Sequence, residues 1–325
     1  MHQTRRATLF SSLLVVSALI GCADDTPSLA LGPEGMLPVD GASLSYITEG
    51  SGASFVLLHG GPGIGQGYFL SELEMPGFPP PGLRWIAYDQ RGSGRSTGVE
   101  TPDRLTMDQF VEDLEAVRAA SGQERVGLFG HAFGGLLAMH YAVRYPDRVA
   151  AMVLLDPDPA EQSLWAAHED IVSARITDED RMLLSAITSG ENWEVDPAQL
   201  ESFQLVRYRS FFGNRAVADR LRLGLPMSIY GNYPTTAVAV RESLGAWDLF
   251  PELSGVEART LVVTGDQSIF PMEAHERLVG TLPNAELVIL PGVGHFPHME
   301  DPQGFTAAVN VFLSSITEDT PGGGS

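Results

Sequence analysis

Short, uninterrupted apolar runs recur along the chain, each about as long as a strand that is buried on both faces. They are FVLLHG, LRWIAYDQ, RVGLFG, VAAMVLLD, TLVVTGD and AELVILPG. Between several of them lie segments with apolar residues at helical spacing, such as TMDQFVEDLEAVRAASG and GGLLAMHYAVRYP. This alternation predicts an α/β fold with a mostly parallel sheet wrapped by helices. Ahead of the runs, VDGASLSYI carries a DG turn and predicts an opening β-hairpin.

The alternation stops between residues 158 and 258, where helical patterns continue without a clear strand. Because this stretch falls between two predicted strands, we interpret it as a helical cap inserted into the core. It holds 16 acidic residues and 8 arginines, a net charge of -8. Its aromatic residues are expected to form mostly the cap's own core: Trp165, Trp193, Phe211, Phe212, Tyr230, Tyr233 and Trp247. The predicted core covers residues 36–157 and 259–316, and residues 317–325 are predicted to be a flexible tail.

The N-terminus predicts export. Arg5 and Arg6 precede an uncharged run that ends in LIGC and is too short to span a bilayer, which is typical of a signal peptide over residues 1–21. LIGC resembles the lipobox of bacterial lipoproteins, which implies a lipid on Cys22, the only cysteine of the chain. The alternative is an ordinary signal peptide with a chance cysteine. We expect residues 22–35 to form a tether and the protein to be an exported bacterial lipoprotein, anchored to a membrane of the cell envelope.

Charge and composition exclude several function classes. The chain has a net charge of -21, and removal of the two leader arginines makes it -23, so nucleic acid is not an expected partner. All twenty basic residues are arginines, which excludes Schiff-base chemistry. No histidine spacing resembles a metal motif such as HExxH, so we predict neither a metal nor a cofactor. The expected partners are a small molecule or short peptide and, through the lipid, a membrane.

Four glycine-rich or histidine-bearing segments follow predicted strands in order: HGGPG, DQRGSGRS, GHAFGG and GVGHFPHMEDP. Loops at the carboxyl ends of parallel strands meet at one edge of a sheet, where ligands bind. From about Ser43 to Ile316 the chain resembles α/β-hydrolases of the proline iminopeptidase group, which are serine hydrolases with a cap. The resemblance implies the α/β-hydrolase fold and a site made of a serine, a histidine and a carboxylate.

Two positions depart from that pattern. Ala132 stands at the nucleophile position of GHAFGG and has no atom that can attack a carbonyl, although Gly130, Gly134 and Gly135 keep the spacing of the turn. In GDQSIFP, the usual acid position holds Ser268.

The resemblance assigns His295 as the general base, and two carboxylates remain as substitute acids. Asp266 is near the acid position but out of register, and Asp156 ends the VAAMVLLD run. We favour a plain strand end for Asp156, because LLDP is typical of one. Loss at two positions favours a lineage that gave up covalent catalysis over a deliberately inactivated enzyme. An engineered alanine, with Asp266 or Asp156 as the native acid, remains the alternative.

Several residues are expected around the reaction centre. The amides of Gly61 and Phe133 are candidate oxyanion donors, since backbone donors do not depend on the side chain at position 132. His59 and Gly60 belong to the oxyanion loop, and His131 is expected to line the pocket. His298 is expected at the surface beside His295.

Three functions stay open. The protein is a hydrolase in which His295 activates water for labile esters, lactones or amine-bearing substrates, or a non-catalytic binder of a small molecule or peptide end. The third is a serine hydrolase or aminopeptidase inactivated by alanine at position 132. The acidic cap suits a substrate with a free amine, as the resemblance implies, although the whole chain is acidic.

Overall fold

The computed structural model describes residues 31–69, 82–99, 101–190, 196–223 and 233–318. The signal peptide, Cys22, most of the tether, Trp193, Tyr230 and residues 319–325 lie outside these ranges. Among the described residues, no helix is long and apolar enough to span a membrane.

Eight strands form one sheet. They are β1 (Glu34–Val39), β2 (Ala42–Gly50), β3 (Ala53–Leu58), β4 (Leu83–Tyr88), β5 (Val126–His131), β6 (Val149–Leu155), β7 (Arg259–Gly265) and β8 (Ala285–Leu290). Their order is β1-β2-β4-β3-β5-β6-β7-β8. The hairpin of β1 and β2 is antiparallel to its neighbours, and β3 to β8 run parallel. The mostly parallel sheet predicted from the apolar runs is confirmed, as is the opening hairpin.

The longer helices of the core are α1 (Met107–Ala120), α2 (Phe133–Arg144), α10 (Met272–Thr281) and α12 (Pro302–Glu318). A short helix, α11 (Pro297–Glu300), follows β8. In β3, Val56 and Leu58 pack into a cluster with α1 and α2, whereas Phe55 and Leu57 pack into a second cluster with α12. Helices therefore cover both faces of the sheet, which explains why the strands read as continuous apolar runs.

Between β6 and β7 the described residues form helices and one isolated β-bridge, with no strand. The helices are α3 (Gln162–Ala166), α4 (His168–Arg175), α5 (Asp178–Thr188), α6 (Pro197–Tyr208), α7 (Arg215–Ala218), α8 (Tyr233–Leu244) and α9 (Phe250–Leu253). Of these, α3, α4, α6 and α8 contribute residues to the cavity described below.

Two boundaries differ slightly from the sequence expectation. The first strand begins at Glu34, inside the predicted tether, because Glu34 pairs with Ile47 of β2. The last helix continues to Glu318, two residues into the predicted tail, because its apolar residues Phe305, Val309 and Phe312 hold it against the sheet.

Candidate active site

A sharp turn joins β5 to α2, and Ala132 lies at its centre with φ 51° and ψ -119°. This conformation is strained for a residue with a β-carbon. The flanking glycines are required by space, because a β-carbon at Gly130 would overlap the backbone of Gly134, and one at Gly134 would overlap the carbonyl of Leu58. The turn has the geometry that exposes a nucleophile, but it presents a methyl group.

His295 lies in the loop between β8 and α11, and its ring is buried. Its Nδ1 donates a hydrogen bond to Oδ2 of Asp156 over 2.6 Å. Donation from Nδ1 leaves the lone pair on Nε2, the form that accepts a proton. His295 and Ala132 line the same cavity. The structure therefore brings together a base and a carboxylate beside the position where the nucleophile is replaced.

Asp156 directly follows β6 and has φ 37°, a left-handed conformation that turns the chain at the strand end. It is completely buried. Four side chains donate to its carboxylate: Thr264, Ser268 over 3.0 Å, His275 over 3.2 Å and His295. Burial alone would raise the pKa of Asp156, but the hydrogen bonds from His275 and His295 outweigh it and hold that pKa well below the usual range. Asp156 is thus an ionised carboxylate at neutral pH.

The sequence predicted the loss of both the nucleophile and the acid, but Asp156 accepts a hydrogen bond from His295, as an acid at this site would. Ser268, at the usual acid position, is not itself an acid, but its hydroxyl donates a hydrogen bond to the carboxylate of Asp156. Because β6 and β7 are neighbours in the sheet, a carboxylate at the end of β6 reaches the same histidine. The plain strand-end interpretation of Asp156 does not hold. Asp266 does not approach His295: it is exposed, and its Oδ1 accepts from the Gly292 amide over 2.7 Å.

The two candidate oxyanion donors lie at the cavity. Phe133 is the first residue of α2, so its N–H has no acceptor within the helix. Gly61 has φ 58°, in a turn closed by a 2.8 Å hydrogen bond from the Ile64 amide to the Gly61 carbonyl. Both residues line the cavity together with Ala132 and His295. This arrangement offers backbone donors to a carbonyl oxygen beside the base.

His131 connects three of the loops. Its Nε2 donates to the carbonyl of His295 over 2.8 Å, so its Nδ1 accepts from the Tyr68 hydroxyl over 2.6 Å. The Tyr68 oxygen in turn accepts from the Gly60 amide over 2.7 Å. Burial, with His295 and His298 nearby, lowers the pKa of His131 well below the usual range and keeps it neutral. Sequence reasoning did not single out Tyr68, because an aromatic residue after a glycine-rich loop is not distinctive.

His59 lies in the HGGPG loop as expected, whereas His298 is placed differently from the expectation. His59 is buried, its Nε2 accepts from the Gln90 amide over 3.0 Å, and its carbonyl accepts from the Gln90 side chain, so it ties the HGGPG loop to the DQRGSGRS loop. His298 is not at the surface: its ring is fully buried among Phe69, Phe305 and other rings, because the short helix α11 turns it inward.

A cavity of about 420 Å³ opens above the turn between β5 and α2. Its floor is formed by Gly61, Ala132, Phe133 and His295, and its walls come from the helices between β6 and β7. An adjoining cavity of about 20 Å³ lies between Ala132, His295, Tyr68 and Gly60, and this is enough for one water molecule. The larger volume lies within the range typical of small-molecule sites.

The walls carry charges of both signs. Asp158 and Arg241 lie inside, with 3.7 Å between the carboxylate and the guanidinium, and Glu169 and Arg207 are exposed. In the described part of the chain, no group of three or more histidine, cysteine, aspartate or glutamate side chains is placed to hold a metal ion.

Comparison with known proteins identifies the same architecture. A family model described as alpha/beta hydrolase fold matches residues 53–302. A 2-hydroxy-6-oxo-6-phenylhexa-2,4-dienoate hydrolase of Burkholderia cepacia is 26% identical over 272 residues, which cover 82% of this chain and 89% of that protein.

Proline iminopeptidases are also among the relatives. One from Pestalotiopsis fici is 27% identical over 273 residues, covering 81% of this chain and 92% of that protein. The crystal structure of proline iminopeptidase from Mycobacterium smegmatis superposes with a TM-score of 0.66 at 25% identity, covering 89% of this chain and 100% of the other.

Proposed function

Because the chain belongs to the α/β-hydrolase fold family, we propose that it is a hydrolase in which His295, oriented by Asp156, activates water. The observation that carries this proposal is the 2.6 Å hydrogen bond between His295 and Asp156 in the wall of the cavity beside Ala132. A base held by a carboxylate retains its function without a serine. The water-sized cavity at the same place supports a bound water as the nucleophile.

The chemistry follows from the positions of the groups. Nε2 of His295 takes a proton from water as the water oxygen bonds to the carbonyl carbon of the substrate, and the amides of Phe133 and Gly61 stabilise the negative oxygen that develops. As the intermediate collapses, the protonated His295 returns the proton to the leaving group. No acyl intermediate forms on the protein, because the side chain of Ala132 has no nucleophilic atom.

The magnitude of the available catalysis sets the substrate class. A positioned general base contributes about 10² to 10⁴ in rate. Backbone oxyanion donors and substrate binding add to this rate enhancement without a serine. In serine proteases that lack triad residues, these two contributions leave a rate about 10³ to 10⁴ times that in water. Labile esters, lactones and carbamates are therefore the proposed substrates. Peptide bonds, the substrates that the name of the Pestalotiopsis fici relative suggests, are too stable for this route.

The proposal is tested by turnover of activated esters and lactones by the full chain, compared with His295→Ala. Loss of at least about tenfold in the variant is expected, because the base contributes no less than that. Equal background rates from both proteins would contradict the hydrolase. That result would favour the alternative, a pseudoenzyme whose cavity binds a small molecule or peptide end.

A second candidate is a serine hydrolase whose nucleophile has been replaced. The strained conformation of Ala132 favours it, since φ 51° serves a nucleophile and gives an alanine no advantage. Ala132→Ser should then react with a fluorophosphonate probe and show burst kinetics with activated esters, because the base and the oxyanion donors stand ready. A revertant that stays unlabelled, although correctly folded, would contradict this candidate.

We further propose that the protein is an exported lipoprotein held at a membrane of the cell envelope through Cys22. The LIGC motif and the single cysteine support this location. Metabolic labelling with an alkyne fatty acid should mark the protein and should be abolished by Cys22→Ser. Equal labelling of that variant would contradict the anchor.

A further inference from the structure

Arg241, on α8, is a half-buried cation in the wall of the large cavity. The central carbon of its guanidinium lies over the ring of Trp165, 3.8 Å from the ring centre. This cation–π contact uses none of the N–H donors of the guanidinium. Among the described residues, its buried Nη1 finds no hydrogen-bond partner.

The nearest acid does not satisfy this group. Asp158 is 3.7 Å from Nη2, which is beyond hydrogen-bonding distance. Burial raises the pKa of Asp158, and the charge of Arg241 opposes that rise. The other acid at the cavity, Glu169, is exposed to solvent.

The aromatic support of Arg241 is fixed in place. Trp165 contacts Trp247 with ring centres 6.0 Å apart, and the Trp247 indole donates to the Pro159 carbonyl over 3.2 Å. The ring of His168 packs against the ring of Trp165 with 4.6 Å between the ring centres, and its Nδ1 donates a hydrogen bond to the Trp165 carbonyl. Burial lowers the pKa of His168, so it adds no positive charge at neutral pH.

We propose that Arg241 and Trp165 form a subsite for the carboxylate of a small, partly apolar ligand. A planar carboxylate matches the edge of the guanidinium, and charge-assisted hydrogen bonds of this kind are the stronger ones. Trp165, Phe211 and Phe270 offer apolar surface in the same cavity. The unpartnered Nη1 of Arg241 therefore favours a ligand carboxylate over the free amine that the acidic cap suggested. That this ligand is also hydrolysed rests on the proposed function, but its binding does not.

The test measures binding of benzoate to the full chain in detergent by calorimetry, with benzamide and benzylammonium as uncharged and cationic analogues. Benzoate should bind at least about tenfold more tightly than either analogue, because only the carboxylate makes charge-assisted bonds. Arg241→Gln should abolish that preference. Arg207→Gln is the matched control, because Arg207 lies exposed at the rim of the same cavity, and it should keep most of the preference.

Arg241→Lys guards against a folding defect, since it keeps the charge and loses the planar fork. It should bind benzoate more weakly than the native protein and more tightly than the glutamine variant. Equal binding of benzoate and benzamide by the native protein, or an unchanged preference in Arg241→Gln, would overturn the subsite. Tighter binding of benzylammonium would show an amine site instead. No turnover is measured, so failure of the hydrolase proposal leaves these outcomes intact.

Discussion

At the scale of single residues, Asp156 separates what the sequence could indicate from what only the fold reveals. The spacing GDQSIFP placed the acid position at Ser268, and LLDP had the pattern of a plain strand end. The spacing of residues along the chain does not reveal that β6 and β7 are neighbours in the sheet. This arrangement brings Asp156 within hydrogen-bonding distance of His295. His295, Ala132 and the backbone donors were found from local motifs, because each motif is contiguous.

Arg241 was missed for a related reason. The residues from 158 to 258 have a net charge of -8, which predicts a negative environment. The position of Arg241 among those acids depends on how the helices pack, because packing places it over the ring of Trp165. Net charge describes a surface and does not describe the wall of a cavity.

His298 provides a prediction at the same scale, concerning stability in acid. Burial, with His295 and Arg220 nearby, lowers the pKa of His298 to about 3. Below a pH of about 6.5, the unfolded chain binds a proton at this residue and the folded chain does not. The folded-state pKa is depressed, so the stability contribution is complete above that pH and is lost as the pH falls towards 3.

His298→Phe removes this titration and retains a ring of similar shape among Phe69 and Phe305. Urea unfolding from pH 6.5 to 4.5 should show the variant gaining on the native protein by about 1.4 kcal/mol per pH unit. His140, whose pKa burial lowers to about 4, titrates in both proteins and cancels. Parallel stability curves would contradict the assignment of His298 as a buried neutral histidine.

At the scale of elements, the turn between β5 and α2 keeps a strained conformation without the nucleophile that it would serve. The glycine spacing predicted this turn, because close approach of strand and helix leaves no room for side chains at Gly130 and Gly134. The cap helices were predicted only as helical patterns, and their bounds depended on tertiary contacts. Local steric requirements can be predicted from the sequence, whereas the packing of the helices that form the cavity walls cannot.

The strain at Ala132 is measurable. Ala132→Gly should raise the free energy of unfolding by about 1 kcal/mol, because glycine tolerates φ 51° and the relieved strain exceeds the added entropy of the unfolded chain. The matched control is Ala138→Gly in the interior of α2, which should lower that free energy by about 1 kcal/mol. Equal destabilisation by both substitutions in urea unfolding would show that the turn at Ala132 is unstrained.

At the scale of the whole molecule, the site is assembled from loops that follow β3, β5, β6 and β8. Residues more than 160 positions apart, such as His131 and His295, meet there through a 2.8 Å hydrogen bond. The parallel sheet was predictable, because strands buried on both faces leave a continuous apolar signature. Which loop ends meet is decided by strand order, and strand order is a property of the whole fold.

Turnover of 4-nitrophenyl acetate by Asp156→Asn, measured beside Asp266→Asn, shows whether Asp156 holds His295 as the catalytic base. These two carboxylates were the sequence-level candidates, and only Asp156 contacts His295. We predict a loss of about 10²-fold in Asp156→Asn, because an asparagine no longer holds the histidine as a base. Asp266→Asn should stay within about twofold of the native protein, since Asp266 is exposed and bonded to Gly292. Native-like turnover by Asp156→Asn, or no turnover by the native protein, would contradict hydrolysis by water that His295 activates.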